Sequence, residues 1–243
     1  MSSGTSTRSR SSAPSSGPDE TVTAVRAVLL DLYDTLAWTE WPRLRALFSE
    51  RTGVEPRRLM NAFATTRRRR SLGEFESVEG DLRAVLEAAD VEASEALVGE
   101  LARLEGDVLE RGVHLWDDAL PVIAELRALD VPVGVVSNCD HSTRPIVDRL
   151  GIAEAVDAVL LSFEVGAAKP DPEIYLAALD AIGNPEPSAT VFVDDQAGYC
   201  DAAAALGMRT LLMLRDEASP VEGVSEPRDH RVIRDLRAVV DLL

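Results

Sequence analysis

The apolar run Val28-Leu29-Leu30 ends at the carboxylate of Asp31. A strand without polar alternation suits a position that is covered on both faces, as in a parallel sheet. Ligands of such sheets bind in the crevice outside the carboxyl ends of the strands. We therefore predict that Asp31 is a candidate nucleophile, placed where a buried strand becomes a loop.

Two further apolar segments end in polar side chains in the same way. Residues 133–136 are followed by Ser137 and Asn138, and residues 190–193 are followed by Asp194 and Asp195. The carboxyl ends of parallel strands lie at one edge of a sheet. The sequence therefore predicts that three strand ends converge on one crevice.

From about residue 117 onward, the pattern alternates between strands and helices. Strands are predicted at 131–136, 157–161, 190–193 and 209–213, and helices at 118–129, 143–150, 172–182, 197–206 and 231–242. Such alternation is typical of right-handed βαβ units. The predicted fold class is α/β with a parallel sheet.

Residues 36 to about 116 show helical periodicity with no convincing strand, for example at Leu97, Leu101, Leu104 and Val108. This block interrupts the chain between the first strand and the second. It is therefore predicted to stand over the crevice as an inserted helical cap.

Composition restricts the partners. The formal net charge of -17 opposes binding to nucleic acid or to an anionic membrane surface, since both require Lys and Arg to neutralise phosphates. No apolar stretch approaches the length of a membrane span. Two cysteines are too few for a disulfide scaffold, which favours the cytoplasm. Residues 1–20 contain eight Ser and little to bury, which predicts a disordered tail.

Four ordered motifs in this sequence resemble those of the haloacid dehalogenase superfamily. They are Asp31-Leu32-Tyr33-Asp34-Thr35-Leu36, then Val136-Ser137-Asn138, then Gly166-Ala167-Ala168-Lys169-Pro170-Asp171-Pro172, then Val193-Asp194-Asp195 with Leu206-Gly207-Met208. The resemblance implies a Rossmann-like core with a helical cap inserted after the first motif. The implied domains are a tail at 1–22, a core at 23–36 and 117–243, and a cap at 37–116.

The resemblance also implies a role for each motif residue. Asp31 would be the nucleophile, Ser137 a hydrogen-bond donor to the transferred group, and Lys169 the cation between nucleophile and substrate. Mg²⁺ would be held by Asp31, Asp194, Asp195 and the backbone carbonyl of Tyr33. Thr35 would support the first loop and, with Asn138, the binding of substrate. The expected substrate is a small anionic molecule, and the oligomeric state stays open.

The residue types agree with this chemistry. A carboxylate that attacks an anionic phosphate needs a hard cation and a fixed positive side chain to overcome repulsion. Two carboxylates about 4 Å apart repel by about 4 kcal/mol at an effective dielectric constant near 20. The pair Asp194 and Asp195 therefore favours a metal-dependent phosphatase that forms an aspartyl-phosphate on Asp31.

Tyr33 departs from the phosphatase pattern, in which a second Asp acts as acid and base at this position. A phenol can donate a proton but is a poor base at neutral pH. Dehalogenases of the superfamily do have Tyr here, and their pattern also has Tyr six residues after the lysine, as at Tyr175. Two alternatives therefore stay open: a dehalogenase-like carbon hydrolase that needs no metal, and a catalytically impaired binding or regulatory member.

Overall fold

A computed structural model describes Met1, residues 24–215 and residues 230–243 of the chain. The strands are β1 Ala27–Leu30, β2 Ala37–Thr39, β3 Val113–Leu115, β4 Val133–Ser137, β5 Ala158–Leu161, β6 Thr190–Asp194, β7 Arg209–Met213 and β8 Arg231–Ile233. The helices before β4 are α1 Trp41–Thr52, α2 Pro56–Ser71, α3 Val78–Ala88, α4 Glu95–Gly112 and α5 Ala119–Ala128. Those after β4 are α6 Arg144–Arg149, α7 Ile152–Ala155, α8 Ser162–Val165, α9 Pro172–Ala181, α10 Ala197–Ala205 and α11 Arg237–Val240.

Six strands form one parallel sheet in the order β5-β4-β1-β6-β7-β8. Successive residues of β1 alternate between two apolar clusters: Val28 and Leu30 belong to one, and Ala27 and Leu29 belong to the other. Burial of such side chains contributes about 1.5–3 kcal/mol each. Helices on both faces therefore cover β1 completely, and the predicted α/β class with a Rossmann-like parallel sheet is confirmed.

The predicted strands and helices between residues 117 and 213 are present, with ends that differ by at most two residues. The helix predicted at 231–242 is wrong in its first part. Residues 231–233 form β8, which pairs with β7, and only Arg237–Val240 is helical. This pairing satisfies the backbone N–H and C=O groups at the edge of β7. The stabilisation comes from a residue pairing outside the segment, so the helical pattern within residues 231–242 could not predict it.

The block after β1 contains the four helices α1 to α4, but its ends are two short strands that the periodicity did not predict. β2 and β3 pair in antiparallel register, with Trp38 opposite His114. Each strand has three residues, and paired residues of β2 and β3 lie more than seventy positions apart in the sequence. A pattern within a short window therefore cannot predict them. The tail predicted at 1–22 lies outside the described residues, apart from Met1.

No helix in the described ranges is both long and apolar enough to cross a bilayer.

Candidate active site

Asp31 lies at the carboxyl edge of the sheet, directly after β1. Its backbone N–H donates to the carbonyl of Val193 at 2.9 Å, which joins the start of the loop to β6. The loop then closes on itself, because Leu36 and Ala37 both donate to the carbonyl of Leu32 at 2.8 Å. The Asp31 side chain is 8% exposed. The predicted nucleophile is thus a buried carboxylate on a hydrogen-bonded turn.

The ammonium of Lys169 joins three elements at this edge. Its Nζ atom lies 2.5 Å from Asp31 Oδ1, 2.6 Å from Asp194 Oδ2 and 2.9 Å from the carbonyl oxygen of Val136. The side chain is 1% exposed. Three acceptors match the three N–H donors of an ammonium. Burial opposes the charge, but Asp194 and Asp31 raise the pKa of Lys169 above its ordinary value, so the side chain is charged at neutral pH.

Oxygen atoms from Asp31, Asp194 and Asp195 lie within 4.8 Å of one another. When all three carboxylates are ionised, Lys169 offsets one of their charges and two negative charges stay unbalanced. Burial, followed by the charges of Asp31 and Asp194, raises the pKa of Asp195 to about 9. Burial also raises the pKa of Asp194 to about 7, although Lys169 opposes the rise. A hard divalent cation takes oxygen ligands of this kind, so the group can hold one.

Ser137 and Asn138 lie at the carboxyl end of β4, as predicted. Ser137 is buried and is the last residue of the strand. Asn138 bonds the main chain of Lys169 twice: its Nδ2 donates to the carbonyl at 2.7 Å, and its Oδ1 accepts from the N–H at 2.7 Å. These contacts orient the backbone that presents the lysine, and the predicted role of Asn138 in substrate binding stays a prediction.

Tyr33 lies in the first loop, with its side chain packed on the helical block. Its ring meets Trp41 edge to face at a centroid distance of 5.3 Å. Its hydroxyl lies 3.3 Å from Thr143 Oγ1 at the start of α6. Burial raises the pKa of Tyr33 above its ordinary value, although the hydrogen bond to Thr143 opposes this. The phenol is therefore neutral at physiological pH and cannot act as a base there.

Thr35 is fully buried, and within the described residues its hydroxyl has no hydrogen-bond partner. Its carbonyl oxygen accepts two hydrogen bonds from the guanidinium of Arg215. Sequence reasoning missed Arg215, although this residue lies only two positions after the end of β7. The position of a polar residue just after a predicted strand was the available signal.

Tyr199 of α10 was also missed. Its ring centroid lies 5.1 Å from Lys169 Nζ, a distance at which an aromatic face attracts a cation. Its hydroxyl lies within 3.2 Å of Asn138 Nδ2, and its carbonyl accepts from the hydroxyl of Tyr175 at 2.9 Å. No motif marked this residue, because its contact with the lysine depends on how α10 packs.

The sequence was compared with protein-family models and with known proteins, and both comparisons find relatives. The family model described as haloacid dehalogenase-like hydrolase matches residues 25–207. The chain is 33% identical over 158 residues to "Phosphatase MT3486" from Mycobacterium tuberculosis, an alignment that covers 64% of this chain and 67% of the relative. It is 29% identical over 177 residues to an N-acetylmuramic acid 6-phosphate phosphatase from Pseudomonas putida, with 68% and 77% covered.

Solved structures share the fold. A 2-haloacid dehalogenase from Pseudomonas syringae superposes with a TM-score of 0.66 at 22% identity, covering 90% of this chain and 97% of that chain. At this level of identity, the likeness shows the architecture alone.

Proposed function

Because the chain belongs to the haloacid dehalogenase-like hydrolase family and is a hydrolase, we propose that it is a magnesium-dependent phosphatase for a small phosphorylated metabolite. The observation that carries this proposal is the charge of the site: three clustered carboxylates against one buried ammonium. A cation with two charges balances that excess. The relatives named as phosphatases support the same chemistry.

The residues of the site fit Mg²⁺. Asp31, Asp194 and Asp195 offer hard oxygen ligands within 4.8 Å of one another, and we propose the backbone carbonyl of Tyr33 as a further ligand. When bound, the ion would offset the charge of the carboxylates and of the substrate phosphate.

In the proposed reaction, a carboxylate oxygen of Asp31 attacks phosphorus and forms an aspartyl-phosphate, while the bond from phosphorus to the leaving oxygen breaks. Lys169 reduces the repulsion between the attacking carboxylate and the phosphate, because its charge lies 2.5 Å from Asp31 Oδ1. We assign Ser137 as a donor to a phosphate oxygen. Water then attacks the aspartyl-phosphate, which restores Asp31 and releases phosphate.

The site lacks a carboxylate at the position where phosphatases of the family have their general acid and base. The leaving oxygen needs a proton, and the neutral phenol of Tyr33 is the group in the position where phosphatases of the family have an acid. The second step needs a base for the attacking water. A buried phenol with a raised pKa does not supply one at neutral pH. We therefore propose that hydrolysis of the aspartyl-phosphate limits turnover.

We further propose that residues 37–116 act as a cap on a core of 23–36 and 117–243, with Thr35 and Asn138 supporting the substrate site. The anionic substrate would enter between these parts. The described cysteines, Cys139 and Cys200, are free thiols, which fits the proposed location in the cytoplasm.

Tyr33 and Tyr175 favour a second candidate, a 2-haloacid dehalogenase, in which Asp31 attacks carbon and expels halide. That reaction needs neither a leaving-group proton nor a metal. The close approach of Asp194 and Asp195 to Asp31 weighs against it, because three ionised carboxylates with Lys169 as their single cation still repel one another.

One assay separates the candidates. Release of phosphate from p-nitrophenyl phosphate and from a panel of phosphorylated metabolites, with and without Mg²⁺, is compared with release of halide from 2-haloacids. Phosphate release that requires Mg²⁺ supports the proposal. Halide release without metal identifies the second candidate, and no turnover in either assay identifies an impaired member.

A further inference from the structure

Arg215 is buried beside the loop that presents Asp31. The residue lies two positions after β7, and its side chain is 8% exposed. Its Nη2 and Nε atoms donate to the carbonyl oxygen of Thr35 at 2.6 and 3.0 Å. A buried carbonyl without a donor costs about 1–3 kcal/mol. This contact therefore fixes the middle of the loop between Asp31 and the helical block.

The guanidinium is held from its other side by Asp118, at the start of α5. Its Nη1 lies 2.6 Å from Asp118 Oδ2, and the same oxygen accepts from the N–H of Leu236 at 2.7 Å. Burial alone would raise the pKa of Asp118, but the hydrogen bonds from Arg215 and Leu236 lower it below its ordinary value. The pair is therefore ionised at neutral pH, and the arginine has a fixed orientation.

Trp116 completes the arrangement. Its ring centroid lies 5.2 Å from Arg215 Cζ, and its backbone N–H donates to the carbonyl of Leu36 at 2.9 Å. The carbonyl oxygens of Thr35 and Leu36 thus accept hydrogen bonds from Arg215 and Trp116, and the side chains of these two donors pack against each other. The described hydrogen bonds of Arg215 go to Thr35 and Asp118, and none goes to the three clustered carboxylates.

We infer that Arg215 is a positioning residue for the nucleophile loop, acting through the Thr35 carbonyl. The inference rests on the proposed function only in naming Asp31 as the nucleophile. The planar guanidinium matters, because it donates to Thr35 and to Asp118 in different directions at once. A lysine keeps the charge beside Asp118 but presents its donors from a single atom.

The test uses Arg215→Lys and the neutral double variant Arg215→Gln with Asp118→Asn, which leaves no unpaired buried charge if the lysine variant folds poorly. The matched control is Arg127→Gln. Arg127 also donates to backbone carbonyls, those of Glu154 and Ala155, but lies near Asp157 beside the amino end of β4, opposite Asp31.

Two readouts are compared. For p-nitrophenyl phosphate, kcat should fall about tenfold to a hundredfold in both Arg215 variants while KM stays within about threefold, because misplacement of the Asp31 carboxyl slows hydrolysis of the aspartyl-phosphate as well as its formation. Hydrogen exchange at the amides of Leu36 and Ala37 should rise at least about tenfold, with little change in the core strands. The control should change neither readout.

Wild-type kcat together with wild-type loop exchange in the variants would overturn the inference, as would a uniform rise in exchange across the sheet, which indicates general destabilisation. The exchange measurement needs no substrate. An inactive wild-type enzyme would therefore refute the proposed phosphatase activity. Hydrogen exchange at Leu36 and Ala37 would still test whether Arg215 positions the loop.

Discussion

Lys169 Nζ lies 2.5 Å from Asp31 Oδ1, although the two residues are 138 positions apart in sequence. The same ammonium lies 2.6 Å from Asp194 Oδ2. The contact places a positive charge against the nucleophile, because the lysine remains protonated in the buried site. It also means that the nucleophile can be changed without leaving the lysine unpaired.

We predict that Asp31→Asn lowers kcat by about 10⁴-fold or more, because it removes the attacking oxygen anion. Thermal unfolding should remain cooperative, since Lys169 keeps Asp194 as its partner. The matched control, Asp148→Asn on the surface of α6, should retain wild-type kcat. Substantial phosphate release by Asp31→Asn, after purification to homogeneity, would contradict the assignment of the nucleophile.

The metal-free protein should lose stability as pH rises. An acid with a raised pKa keeps its proton in the native state at pH values where the unfolded state has released it, so the free energy of unfolding falls with increasing pH. For Asp195 this window extends from its ordinary value of 3.8 to about 9. Saturating Mg²⁺ should remove most of the decline, because the cation favours the ionised carboxylates.

Urea unfolding at a series of pH values, in EDTA and in Mg²⁺, measures this effect. Asp195→Asn should flatten the profile in EDTA and weaken the stabilisation by Mg²⁺, whereas Asp180→Asn on the exposed surface of α9 should reproduce the wild-type profiles. Identical profiles in EDTA and Mg²⁺ for the wild-type protein would argue against a metal at this site.

The sequence predicted the part of the site that depends on strand ends. Asp31, Ser137 and Asp194 follow or close three buried strands that are neighbours in the sheet, and parallel pairing alone brings such residues to one edge. The link between Arg215 and Thr35 could not be predicted in this way, because it spans 180 positions and depends on a side chain reaching across the fold. The helix predicted at 231–242 was wrong in its first part for a similar reason, since the hydrogen bonds of β8 are made with β7, twenty positions earlier in the register.

Glu105 of α4 offers a separate prediction about stability. It is 7% exposed, and its side chain has no hydrogen bond in the part of the chain that the structure describes. Burial and then the charge of Asp140 raise its pKa to about 8. By the same sign argument, its contribution to stability declines as pH rises from its ordinary value of 4.5 toward about 8.

Glu105→Gln should therefore stabilise the protein at about pH 9 by about 1–3 kcal/mol, because the buried position no longer has to ionise. At about pH 5, where the acid is neutral in the native state, the variant should match the wild type to within about 1 kcal/mol. Glu110→Gln, an exposed position on the same helix, should have little effect at either pH. Denaturant unfolding at both pH values measures the free energy of unfolding of each variant. Equal stabilisation by Glu105→Gln at both pH values would show that ionisation of Glu105 is not the cause.

Tyr33→Asp should raise phosphatase kcat, because a carboxylate at this position can protonate the leaving oxygen and then accept a proton from the attacking water. General acid and base catalysis contributes about 10²–10⁴-fold, so we expect a gain of at least about tenfold. Tyr33→Phe is the matched control: it keeps the contact with Trp41, removes the hydroxyl and should not raise kcat.

Rapid-quench measurement should show less accumulated aspartyl-phosphate in Tyr33→Asp than in the wild type. An unchanged kcat in a folded variant that still binds Mg²⁺ would mean that breakdown of the intermediate does not limit turnover.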